Sequence, residues 1–342
     1  MYKIRKILLY IVVLLIIVLV VPIKETTPMT SLQQQFKSKV DGWTSESEQS
    51  TSDDALKVPS EQEFAVNNIQ MNMTKDEVDK KLGDAQRVTS NEYGTNWHTY
   101  YSGDYRSFVM VSYIDDKVNA LYSNQNVISS KSKIKYGSPK EVVRDRLGEP
   151  ITEKEKGHVK FDVQDDEFDN FHDNQIYTTA FYDKHENNNL TALLQVSEKM
   201  ENRLQQQYGA PSEGLAQSFE LQNFDLVNAE RVQRDLASLN YSSSISDTAR
   251  KHSVDMAEHD YFDHDNLSGD SPFDRLEADG HDFNAAGENL AYGQTSSIYA
   301  HQGLMNSLGH RKNILKKEFK TLGVGVDFNE DRQPYWTENY SG

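Results

Sequence analysis

Cysteine is absent from the 342 residues, which removes disulfide frameworks, thiolate metal sites and cysteine nucleophiles together. Any metal site must therefore be built from His, Asp or Glu. Cations are in short supply as well: 36 Lys and Arg stand against 53 Asp and Glu, a formal charge of -17. Phosphate neutralisation needs clustered Lys and Arg, so no nucleic acid is expected as a partner, and polyanions are disfavoured. The chain has no G-x-S-x-G elbow to expose a strained serine, no H-E-x-x-H helix and no nucleotide loop. Its length still allows two or three domains with a sizeable core.

Long apolar runs are rare, with one exception. Lys3, Arg5 and Lys6 precede an uncharged apolar run from Ile7 to Val21, extended by Pro22 and Ile23. This predicts a single-pass transmembrane anchor over residues 1–23. The cations keep the N-terminus cytoplasmic and place everything after about Lys24 outside the membrane. The alternative is a signal peptide, with secretion after cleavage, although "VVPIKETTPM" matches a small-residue cleavage site poorly. Residues 24–60 include "DGWTSESEQSTSDD", too polar to bury much, and read as a disordered acidic tether.

Residues 61–200 contain an internal similarity. "IQMNMTKDEVDKKLGDAQ" from Ile69 and "IKYGSPKEVVRDRLGEPI" from Ile134 align 65 residues apart, defining repeats 66–125 and 131–197. Thr74 and Ser138 suit helix N-caps, Pro139 the first helical position, and Gly83 and Gly148 the residue that ends each helix. After each helix the period shortens. "SFVMVSYI" and "KVNALYS" flank an Asp115-Asp116 turn, and "QIYTTAFY" and "LTALLQVS" flank a polar turn at Asp183 to Asn189. Each unit reads as a helix plus a small antiparallel meander. The pattern resembles the N-terminal modules that accompany CAP domains in exported bacterial proteins. The first copy departs from it, with Asn72 against Gly137 and Ala85 against Pro150. His98, His158, His172 and His185 are scattered through this region and read as surface or packing residues.

From Phe219 to Gly342 the pattern is helical first. Leu221, Phe224, Val227, Val232 and Leu236 share a helical stripe, and Ala249, Ser253, Met256 and Ala257 another, capped by Ser246 or Asp247. Ser271, Pro272, Asp274 and Gly280 bracket a third helix, and a fourth runs from about Ser297 to Gly309. "TLGVGVDFNEDRQPYWTENY" alternates as two strands. His252 and His259, seven apart on the second helix, read as one packed and one solvated histidine. The blocks "LVNAERVQRDLASL", "ARKHSVDMAEHDYFDH", "SPFDRLEADGHDFNAAGENLAYG", "NSLGHRKNIL", "FKTLGVGV" and "YWTENY" are similar, in order, to the bacterial branch of the CAP superfamily, the SCP-like extracellular domain. The implied architecture is α+β: a CAP α-β-α sandwich over 219–342, behind two tandem helix-plus-meander repeats and a transmembrane helix.

The resemblance implies a cleft lined by two histidines and two acids. Matched motif by motif, these positions fall on His264, Glu288 and His310, while the second acid has no counterpart, because residues 289–317 contain no Asp or Glu. A tryptophan usual before "M-N-S" is replaced by Leu304. Two imidazoles and a carboxylate can serve as three ligands of Zn²⁺ with a position left for water, and Asp263 or His301 could complete the set. Ser307, three residues before His310, offers a weaker Ser-His hydrolase reading. The leading expectation is a binding module rather than an enzyme: an anchored extracellular protein whose His264, Glu288 and His310 cleft takes a small ligand, peptide, glycan or lipid. The alternatives are a zinc-dependent hydrolase of peptide or cell-wall material using the same residues, and a scaffold whose repeats grip another surface protein.

Overall fold

In the strand Arg106–Ile114 the side chains alternate: Phe108 and Met110 enter one core, Val109 and Val111 another. Period-two alternation with both faces apolar requires a sheet covered on both sides. The computed structural model describes residues 55–342 except Gly157 and His158; the apolar run and nearly all of the tether lie outside the described residues. Among the described residues no helix is long and apolar enough to cross a membrane.

In chain order the N-terminal part comprises β1 (Phe64–Val66), α1 (Lys75–Leu82), β2 (Arg87–Ser90), β3 (Asn96–Ser102), β4 (Arg106–Ile114), β5 (Lys117–Ser123), β6 (Ile128–Ser130), α2 (Lys140–Leu147), β7 (Glu153–Lys156), β8 (Val159–Asp162), β9 (Phe168–Asp173), β10 (Ile176–Asp183), β11 (Asn189–Ser197) and α3 (Glu198–Glu201). Thr74 caps α1 through a reciprocal box, its hydroxyl accepting from Glu77 N at 3.3 Å while Glu77 Oε2 accepts from Thr74 N at 2.8 Å. The second helix starts differently from the expectation. Pro139 is extended (φ -60°, ψ 147°) and occupies the cap position itself, while the Ser138 hydroxyl closes the preceding turn by accepting from Lys135 N at 3.0 Å. Gly83 and Gly148 end the two helices at φ 78° and 88°, a region that favours glycine. The Asp115-Asp116 turn has both φ positive, 51° and 56°, as a two-residue hairpin turn matched to strand twist requires.

The strands do not form two separate meanders. They merge into one seven-stranded sheet, order β2-β3-β4-β5-β11-β10-β9, because β5 pairs antiparallel with β11 from Ser123↔Leu193 to Ala120↔Val196. Val78 of α1 and Val143 of α2 are buried with Val109, Val111, Leu121 and Leu193 on the outer face. The inner face packs on the C-terminal part.

That part comprises α4 (Glu213–Gln233), β12 (Asn240–Tyr241), α5 (Ser243–His259), α6 (Pro272–Ala278), β13 (Ala286–Tyr292), α7 (Ser297–Asn306), α8 (Leu308–Ile314), β14 (Thr321–Phe328) and β15 (Pro334–Ser341). Helix α4 begins six residues before Phe219, capped by the Ser212 hydroxyl, which accepts from Leu215 N. Helix α5 is capped by Ser242, not by Ser246 or Asp247, both of which lie inside it. The fourth expected helix breaks at Ser307, whose extended ψ of 116° separates α7 from α8. The sheet β12-β14-β15-β13 lies between α5 on one face and α4 and α7 on the other. Gly323 and Gly325 let α5 lie directly on β14: a Cβ on Gly325 would sit 2.1 Å from Arg250 N, and one on Gly323 2.3 Å from Ser246 N.

Helix α4 is thus walled in on two sides, by the small sheet and by the seven-stranded one, and is buried almost all round from Leu215 to Arg231. Several of its polar residues are satisfied across the boundary. Arg87 and Tyr105 donate to Asp225, each at 2.9 Å, Gln222 donates to Ser90 O at 2.7 Å, and Gln125 donates to Ala229 O at 2.9 Å. Phe108, Tyr122 and Phe181 from the N-terminal sheet share one apolar cluster with Phe219, Leu226 and Trp336, where each buried large side chain contributes roughly 1.5–3 kcal/mol. Leu56–Gly342 form a single compact unit.

Candidate functional site

Strand β13 is an edge strand, so elements from opposite faces of the small sheet can meet around it. Glu288 lies on this edge, its side chain only 1% exposed. A buried carboxylate needs partners, and it has two. His264, in the loop between α5 and α6, donates from Nδ1 to Glu288 Oε1 at 2.9 Å; the nitrogen is the donor because a carboxylate has no proton to give. Arg275 of α6 donates from Nη2 to Glu288 Oε2 at 2.7 Å. The same guanidinium donates from Nη1 to His264 O at 2.7 Å and to Asp270 O at 2.9 Å, fixing the loop that carries the histidine. The local sequence builds this: Ser271 and Asp274 form a capping box and Pro272 opens α6, which puts Arg275, the residue after the box, on the last turn of this short helix.

Helix α8 brings His310 from the other side of the edge. Asn289 Nδ2 donates to His310 O at 3.2 Å, and Asn313 Nδ2 donates to Glu288 O at 3.2 Å, so the helix is fastened to the strand that carries the acid. The two imidazoles titrate in opposite directions. The hydrogen bond to Glu288 raises the His264 pKa above its ordinary value, against partial burial, in a side chain half open to solvent. Burial pushes the His310 pKa down, and the neighbouring charge on His264 pushes it further.

The other candidates fall elsewhere. Asp263 is exposed, its carboxylate accepting from Asp265 N at 3.3 Å and its carbonyl engaged by His252 Nε2 at 2.9 Å. His301 is wholly buried on α7, 3.8 Å from Glu230 Oε2 in the core, and does not complete the set. Leu304 is a core residue. His252 is packed and His259 exposed. His98 lies edge-on to Tyr113, His172 pairs with Glu198 at 2.8 Å, His185 meets Asn306 O at 3.0 Å, and His158 lies outside the described residues. The residue that sequence reasoning missed is Arg275. Its only local signal is a basic side chain in the last turn of a short, strongly capped helix.

The fit to a metal fails on this donor set. Both Glu288 oxygens are engaged, one by a permanent cation that a divalent ion would have to displace, and among the described residues no three His, Asp or Glu side chains are clustered to hold an ion. His264, Glu288 and His310 as arranged here do not make the zinc site expected of them.

Comparison with known proteins gives consistent relatives. The model of the CAP-associated N-terminal family matches residues 71–208, and that of the cysteine-rich secretory protein family matches residues 224–340. An uncharacterized membrane protein of Bacillus subtilis, YlbC, is 30% identical over 286 residues, covering 78% of this chain and 80% of that protein. A second uncharacterized Bacillus subtilis protein, YkwD, is 38% identical over 125 residues, 36% of this chain and 48% of its own length. Among solved structures, an extracellular protein with an SCP domain from Bacillus anthracis superposes with a TM-score of 0.69 at 24% identity, covering 86% of this chain and 98% of that one. A cysteine-rich secretory protein from Staphylococcus aureus gives 0.63 at 15%, covering 84% and 97%. At these identities the two structures speak for the fold alone.

Proposed function

Since the chain belongs to the CAP superfamily, with a CAP domain behind a CAP-associated N-terminal domain, we propose that it is a cell-envelope binding module whose hollow at His264, Glu288 and His310 takes the polar head of a ligand. The observation that carries this reading is the saturation of Glu288. With one oxygen held by His264 and the other by Arg275, the carboxylate is neither an open ligand nor a free base. What remains for a ligand is the outward edge of His264, held in orientation by Glu288, and the ring of His310, whose pKa burial lowers. Such a pair suits a carboxylate or hydroxyl on a peptide, glycan or lipid.

On the same reading Ile7 to Val21 is an uncleaved anchor with a cytoplasmic N-terminus, residues 24–60 are its tether, and repeats 66–125 and 131–197 are a duplicated unit serving as the CAP domain's packing partner. The name of the YlbC relative, a membrane protein, supports the envelope location.

The test uses residues 56–342. Muramyl dipeptide, N-acetylglucosamine oligomers and a lysophospholipid are titrated while the imidazole Cε1–H resonances are followed by NMR. One of the three should shift His264 and His310 but not His98 or His172, and His264→Ala with His310→Ala should weaken it at least about tenfold, the cost of roughly 1.4 kcal/mol. Equal binding by the double variant, or no shift with any probe, overturns the reading. Membrane retention of the full chain, lost on deletion of residues 1–23, tests the anchor.

A further inference from the structure

Helix α8 has seven residues, too few to hold its place by its own hydrogen bonds. It is fixed from outside at several points. At its C-terminal end the buried Arg231 of α4 donates to Ile314 O at 2.7 Å and to Lys316 O at 2.9 Å. Toward the sheet, Asn289 and Asn313 tie it to β13. The remaining anchor comes from the other domain. Asp183, at the end of β10 and 4% exposed, accepts on Oδ2 from Arg311 Nη1 at 2.7 Å and from Arg234 Nη2 at 2.9 Å. Glu186 accepts from Arg311 Nη2 at 3.3 Å and also from Arg234 Nη1. One residue before the break between α7 and α8, Asn306 donates to Tyr182 O at 2.9 Å and accepts from Lys184 N at 2.9 Å. Arg311 is the immediate neighbour of His310, and successive residues on a helix point about 100° apart. One can therefore face the clamp while the other faces the hollow.

We infer that the turn Asp183 to Glu186 of the N-terminal domain is the positioning element for His310: by holding Arg311 and Asn306 it sets where α8 presents the imidazole to His264 and Glu288, and so tunes the affinity of the hollow. The tuning of affinity rests on the reading of that hollow as a binding site; the positioning does not. The charged group that acts on the His310 ring is His264, itself bonded to Glu288, which Arg275 also holds; Arg311 and Lys312 follow His310 on its own helix. Asp183 and Glu186 are each paired with two arginines, so their influence travels through position. This gives the N-terminal domain a role in the site without lining it.

The experiment compares residues 56–342 with Asp183→Asn/Glu186→Gln in the same segment. Amide exchange across residues 308–312 should speed up at least about tenfold, and the His310 Cε1–H titration should move up toward that of an ordinary exposed imidazole as the ring hydrates. Affinity for whichever probe binds the wild type should fall about tenfold, the low end of what outer partners of site residues command. His252, packed elsewhere, should not move. A folded double variant with unchanged exchange in α8 and an unchanged His310 titration overturns the inference. If the double variant does not fold, Glu186→Gln alone, at a carboxylate 39% exposed, should give smaller changes of the same sign, and none would overturn it. Should no probe bind even the wild type, the binding reading fails while the exchange and titration still decide the positioning.

Discussion

Asp183 and Glu288 are each shared between two basic side chains, and they are built for different purposes. Asp183, at the boundary between the domains, lies between Arg234 and Arg311, whose side chains are 16% and 11% exposed. Glu288, at the edge of the small sheet, lies between Arg275 and a half-exposed histidine. Both guanidiniums at the first site stay charged at any pH the protein meets, so that cluster is a fixed clamp. At the second, one of the two partners is a titratable histidine whose pKa the carboxylate raises and which is half open to solvent, so charge and hydrogen bonding can change there without dismantling the core. The same three-body pattern thus serves as a rivet in one place and as an adjustable contact in the other.

The largest expected effect comes from breaking the rivet. Asp183→Ala leaves two half-enclosed arginines facing each other with Glu186 as their remaining shared acid, and should cost about 3–5 kcal/mol, the range for a buried pair that loses one partner. Urea unfolding of residues 56–342 measures this; a loss below about 1 kcal/mol would mean that solvent already screens the cluster. The equivalent change at the hollow should be milder. Glu288→Gln keeps an acceptor for Arg275 but removes the charge, at a cost of about 1–3 kcal/mol, and the His264 titration should drop back toward its ordinary value.

The comparison sharpens with pH. His264 has a raised folded pKa, so its contribution is fully present below the unfolded pKa of about 6.5 and is lost as pH rises through the folded value. His310 has a lowered folded pKa, so the unfolded chain takes up the proton first, and stability declines as pH falls from the unfolded value toward the folded one. The gap in urea midpoint between wild type and Glu288→Gln should therefore narrow as pH climbs past the His264 titration, whereas the gap for Asp183→Ala should stay level over the same range. A level gap for both would deny the hollow its titratable character.

Much of the local chemistry was legible in the sequence, though not the caps of α2 and α5, and long-range pairing was not. Ser271, Pro272 and Asp274 announce α6 because caps act within one turn, and Asp115-Asp116 announces its hairpin for the same reason. The merging of the strands through β5 and β11 has no local signature, since the residues that pair are 70 to 76 apart. Helix α4 hid its start because it is buried on two sides, so Ser218, Gln222 and Asp225 interrupt the apolar stripe to make bonds across the domain boundary. At the hollow, motif resemblance named His264, Glu288 and His310, yet it could not name Arg275, whose importance comes entirely from where its fork lands. The expected zinc set depended on a carboxylate with a free oxygen, and only coordinates could reveal that the oxygen was taken.

The smallest effect tests whether Arg275 depends on its helix. Ser271 accepts from Asp274 N at 3.3 Å, and Asp274 Oδ2 accepts from Ser271 N at 2.9 Å, so Ser271→Ala should remove about 1 kcal/mol of capping and loosen the first turn of α6. Because Arg275, the residue after Asp274, also holds His264 O and Asp270 O, the loosening should reach the His264 resonance, moving it part of the way that Glu288→Gln moves it, while leaving the exchange of α8 at the Asp183 clamp unchanged. A stability loss of the expected size with a stationary His264 would show that the fork keeps its grip without the cap. The geometry of the hollow would then rest on Glu288 itself rather than on the helix beside it.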